Sequence, residues 1–163
     1  KASVAVDVEQ AAALAPMLSG AGTRVECVAV AVREVVAVVR RMAEGALPSE
    51  AELAEVAASL VDVRVRDALF TMADSEEAAG AEELWSLLAR SLPQPFRAEA
   101  LTLLAFSAYL RGEGPLVGVA LEAVLAEDPA HRMAGLLDTA LQSGVRPDEI
   151  RGLLAGIPAA ASV

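Results

Sequence analysis

A chain of 163 residues, 55% hydrophobic but only 3% aromatic, can bury one sizeable core built from Ala, Val and Leu, which excludes a disordered chain. Thirteen basic against twenty-three acidic residues leave a net charge of −10, a field that repels polyanions and excludes a general nucleic-acid binder. The single cysteine, Cys27, excludes an internal disulfide and a cysteine-built metal site.

Residues 1–46 read as an N-terminal helical segment with room for a short strand. Ser3-Val4-Ala5-Val6-Asp7-Val8 alternates as a strand does, while Val8 to Met17 fits a helix ending at Gly20. Val28, Ala31, Val32, Val35, Val36 and Val39 then make a helical stripe running to about Ala43. Val28 to Val32 also fits a strand, but Arg33-Glu34 breaks the alternation and keeps the 3.6-residue period, so a helix is expected. This stretch, the most apolar in the chain, carries Glu26, Arg33 and Glu34, so no membrane span is expected.

Gly45-Ala46-Leu47-Pro48 is the first firm break, and a helical domain over 47–157 is expected to follow it. Ser49 with Glu52 has the spacing of a capping box, and the helix behind it should bury Leu53, Val56, Ala57, Leu60 and Val61. Asp62 can cap the next, which should bury Val65, Ala68, Leu69 and Met72. The acidic run Asp74 to Glu83 leads into Leu84, Leu87 and Leu88, ending near Leu92-Pro93. Pro95 opens a helix with the stripe Leu101, Leu104, Ala105, Ala108 and Tyr109, and Gly112-Glu113-Gly114 ends it. Pro115 opens another, with Leu116, Val119, Ala120, Ala123 and Val124. Asp128-Pro129 reads as cap and first-turn proline of a helix with Met133, Leu136, Leu137, Ala140 and Leu141, which Ser143-Gly144 stops. Pro147 starts the last helix, with Ile150, Leu153, Leu154 and Ile157, and 158–163 reads as a frayed tail. The expected fold is all-α: an antiparallel bundle or array of seven to nine helices, with Leu104, Ala105, Ala120 and Leu137 in the core.

Candidate sites are few. His131 is the only histidine and reads as a surface or boundary residue, since a lone His without Cys or a partner His builds no zinc site. Acid pairs such as Glu76-Glu77, Glu82-Glu83 and Asp148-Glu149 read as solvated faces and helix starts. The sequence holds no glycine-rich phosphate loop, Gly-x-Ser-x-Gly elbow or His-Glu-x-x-His element, so no catalytic, cofactor or metal set is expected. Arg64, Arg66 and Asp67 carry the sharpest polar signal. The two arginines stand about 200° apart on a helix and cannot share a face, so one reads as pairing Asp67 or a neighbouring acid and the other as facing solvent or a second helix; the alternative is an anion site. The 96–111 helix bears a second stripe, Leu103, Phe106, Ser107 and Leu110, which leaves little polar face. Either that helix is buried all round, or Leu103, Phe106, Tyr109 and Leu110 dock a protein partner with Phe106 as anchor.

The run Ala98-Glu99-Ala100-Leu101-Thr102-Leu103-Leu104-Ala105-Phe106-Ser107-Ala108-Tyr109-Leu110-Arg111-Gly112, continuing to Asp128-Pro129, resembles a tetratricopeptide unit at about 96–128. Leu101 and Ala108 stand where that consensus prefers Trp and Tyr, and Val117 where it prefers Ala. A second resemblance covers about 50–155 and rests on Leu60 to Leu69 with its Arg64-x-Arg66-Asp67 element. It continues through Leu84-Trp85, Leu103-Leu104-Ala105, Tyr109, Arg111-Gly112-Glu113-Gly114, Val119-Ala120-Leu121 and Asp128-Pro129. This order resembles the C-terminal helical half of the actinobacterial domain-of-unknown-function 4192 family. The resemblance implies a missing N-terminal α/β half and a cytoplasmic, actinobacterial source, and it implies no activity. The chain, starting at Lys1 rather than Met, reads as a piece of a longer protein. The expected function is a non-catalytic helical interaction or scaffold module holding a protein partner or its own N-terminal half. The alternative is an accessory helical half of an enzyme or ligand-binding protein whose active domain lies upstream.

Overall fold

The computed structural model describes residues 25–156 and Ala160; the alternatives for residues 1–22 and most of the 158–163 tail lie outside them. Eight α-helices follow one another among the described residues, with no strand: α1 (Val25–Ala43), α2 (Glu50–Ser59), α3 (Val63–Leu69), α4 (Ala78–Ser91), α5 (Phe96–Leu110), α6 (Gly114–Glu127), α7 (Arg132–Gln142) and α8 (Pro147–Leu153). A 3₁₀ turn, Phe70–Asp74, prolongs α3, and another, Leu154–Gly156, prolongs α8. The fold is an all-α array.

Local chemistry sets most of the boundaries. Ser49 and Glu52 close the capping box that starts α2, the hydroxyl accepting from Glu52 N at 3.2 Å and the carboxylate from Ser49 N at 2.8 Å. Asp62 caps α3 by accepting from Arg64 N at 2.9 Å. Pro115 and Pro147 stand in the first turns of α6 and α8, where a missing N–H leaves no bond unmade. Gly112 (φ 76°) and Gly144 (φ 69°) take the left-handed conformation that ends α5 and α7. The structure corrects one start. Asp128 does not cap α7; it accepts from Ala130 N at 3.0 Å, and the helix begins three residues later behind His131.

Helix α5 is the axis of the core. Every residue from Ala100 to Leu110 is buried, and α5 touches α2, α3, α4, α6, α7 and α8. Its Ala100, Ala105 and Ala108 leave room for neighbours on several sides at once, and its Phe106 ring lies 4.7 Å from that of Phe70. The expected core positions Leu104, Ala105, Ala120 and Leu137 are all buried. Elsewhere the expected stripes need correction. Helix α6 buries Val117, Ala120, Leu121 and Val124, so its face is rotated and Val119 is exposed. Leu136 on α7, Leu153 on α8 and Val61 after α2 are exposed as well. Helix α6 is apolar at nearly every position, so periodicity alone did not choose its buried face.

Candidate functional site

Arg66 and Asp67, adjacent on α3, meet a carboxylate the sequence reading passed over. The Arg66 guanidinium donates to Asp67 Oδ1 through Nε (3.0 Å) and Nη2 (2.7 Å), and to Glu99 Oε2 on α5 through Nη1 (2.9 Å). The other oxygen of Glu99, Oε1, lies 3.1 Å from His131 Nε2. His131 Nδ1 accepts from Ala134 N at 3.2 Å, which caps α7. That bond needs the Nδ1 lone pair, so the imidazole is the tautomer that donates Nε2–H to Glu99. One carboxylate thus ties together α3, α5 and the start of α7. The reading of His131 as a surface or boundary residue is corrected: it is buried within this network.

Electrostatics follow from the geometry. Burial pushes the Glu99 carboxyl up, but hydrogen bonds from His131 and Arg66, with the Arg66 charge, outweigh it and hold the carboxyl below its usual range. Burial likewise works against the Arg66 cation, and the bonds to Glu99 and Asp67 overcome it and raise its pKa. The guanidinium also lies 5.8 Å from the centre of the Phe70 ring. With its fork taken up by two carboxylates, Arg66 is placed to join helices rather than to receive an anion. Arg64 is not part of this cluster. Its guanidinium grips Asp62 through Nε (3.0 Å) and Nη2 (2.7 Å) at the surface.

The second apolar stripe of α5 is core. Leu103, Phe106, Tyr109 and Leu110 are buried, because α5 has helices on all sides, so they offer no docking surface. The Tyr109 hydroxyl donates to Val145 O at 2.8 Å and fastens α5 to the α7–α8 turn.

An open face exists elsewhere. A groove of about 430 Å³ runs between α1 and α2. Ala31, Val35 and Val38 of α1 and Val56 of α2 form its apolar floor. Glu34 and Ala37 stand on one wall and Glu55 on the other, while Arg41 pairs with Glu52 across it. Sequence reasoning did not find this groove. The signal available was the pair of carboxylates, Glu34 and Glu55, each one residue before a core valine. Among the described residues no group of three or more His, Cys, Asp or Glu is placed to hold a metal, and no helix is long and apolar enough to cross a membrane.

A family model described as Domain of unknown function (DUF4192) matches residues 1–148, which takes in the groove, the Arg66–Glu99–His131 network and the start of α8. The chain belongs to that family. The DUF4192 match begins at the first residue, well before the stretch from about residue 50 on which the resemblance rested. No curated protein and no solved structure matches the chain.

Proposed function

We propose that this DUF4192 chain is a non-catalytic helical module that holds a protein partner, and that the partner lies in the groove between α1 and α2. The observation that carries the reading is the groove itself, an apolar floor between two charged walls on a helix pair at the edge of the core. The distribution of polar groups supports it. The groups best suited to acid–base chemistry, Glu99 and His131, are spent on each other, on Arg66 and on a helix cap. On the groove walls, Glu34 and Glu55 have no ion-pair partner among the described residues. A concave apolar surface with a few polar groups at its edge is the ordinary form of a recognition site. Chain context belongs to the same proposal: the module is the helical part of a longer, cytoplasmic actinobacterial protein, and the open reading frame upstream of Lys1 tests that.

The groove is tested by a photo-cross-linking residue placed in the full chain at Ala37, on the groove wall, against one at Leu136, exposed on α7. A protein captured from position 37 and not from position 136 supports the reading. Equal capture from both positions, or capture from 136 alone, contradicts it.

A further inference from the structure

We infer that the segment held in the α1–α2 groove is cationic: a helix with one apolar stripe and Lys or Arg on both flanks of it. The inference rests on the groove being the docking face and adds the chemistry of what docks there.

Ala31, Val35 and Val38 recur at i, i+4 and i+7 along α1, and Glu52, Val56 and Ser59 at the same spacing along α2. At 1.5 Å per residue each lining runs for about 10 Å, so a helix of two to three turns covers the groove with one face. The walls supply the sign. Glu34 on the α1 side and Glu55 on the α2 side are exposed, and neither has an ion-pair partner among the described residues. Arg41, the basic side chain in the lining, is already taken by Glu52. The uncompensated charge is therefore negative on both walls, within a chain of net charge −10. An acidic segment would bring like charges together on both flanks, and a neutral one would leave both carboxylates without a partner. The floor decides how much this matters. Ala31, Val35, Val38 and Val56 present the same apolar floor to any docked helix with an apolar stripe, so the flanking charges are what discriminate between such helices. Such binding should weaken as salt shortens the screening length.

The experiment uses the full chain with the photo-cross-linking residue at Ala37 and two synthetic helical peptides. Both carry the same Ala/Leu stripe; one is flanked by Lys and the other by Glu. The expected result is that the Lys peptide binds and cross-links from position 37. Its affinity should fall about two- to tenfold in the Glu34→Gln, Glu55→Gln double variant. It should be unchanged by Glu122→Gln, an exposed carboxylate on α6. Thermal melting of the double variant should match the parent, since neither carboxylate has an ion-pair partner among the described residues. Equal weakening by Glu122→Gln would overturn the inference, because the attraction would then be that of any acidic surface. Cross-linking of the Glu peptide as efficiently as the Lys peptide would overturn it too, while leaving the groove as the docking face. Cross-links from position 37 into residues 1–24 of the same chain would make that segment the occupant and overturn it. If neither peptide cross-links and no internal link forms, the docking face itself is wrong.

Discussion

Among the described residues Glu99 is the one carboxylate shared by three helices, and its protonation state is coupled to folding. Because hydrogen bonds and the Arg66 charge overcome the cost of burial, the carboxyl loses its proton at lower pH in the folded chain than in the unfolded one. The stability this supplies is complete above the ordinary carboxylate range and is lost as pH falls through the depressed folded value. Glu99→Gln should cost about 2–3 kcal/mol near neutral pH and should flatten the acid side of the stability curve. Urea titrations across pH check both; an acid limb identical to the parent's would contradict the assignment. His131 does two jobs that mutation can separate. His131→Ala removes the α7 cap and the donor to Glu99, whereas His131→Asn restores a good cap and loses only the reach to Glu99. The alanine variant should therefore lose about 1–3 kcal/mol and the asparagine variant recover about half of it. Equal losses would mean the cap contributes nothing. None of this was legible from spacing, because Glu99 lies 33 residues from Arg66 and 32 from His131. The faint signal was that Glu99 is the only carboxylate in α5.

The helices themselves were legible to the extent that their ends carry chemistry. The Ser49–Glu52 box, the Asp62 cap, the prolines of α6 and α8 and the glycines after α5 and α7 all stand where local rules place them. In α1 the Arg33-Glu34 step settled helix against strand, as the structure shows. Faces were less legible. Helix α6 offers apolar residues all round, so only its neighbours select Val117 and Leu121 over Val119. Contacts between helices could not be read from the chain at all. Gly80 in α4 is an example. A Cβ there would stand 3.1 Å from Val39 Cγ1 and 3.3 Å from Val39 O, so the missing side chain is what lets α4 cross α1 so closely. Gly80→Val should destabilise the fold by about 1–3 kcal/mol through overpacking, despite replacing a helical glycine. Chemical denaturation measures it, and a gain in stability would show that α1 can retreat from the contact.

At the scale of the whole molecule, tasks are divided between helices. Helix α5 is the centre against which six others pack, and the Arg66–Glu99–His131 network pins α3 and α7 to its first turns. The two apolar stripes on α5 showed that it is either central or a docking helix, and only the arrangement of its neighbours chooses between them. The groove on α1 and α2 was invisible in the sequence because it is made by two helices and not by one pattern. Thermal unfolding of Phe106→Ala tests this division most directly, since Phe106 was the natural anchor of a docking stripe and lies instead within the core. Removing a buried phenylalanine costs about 3–5 kcal/mol, so the midpoint should fall by roughly 6–20 °C for a domain of this size. A midpoint within about 1 °C of the parent's would mean Phe106 is not buried in solution, and would contradict the central place of α5.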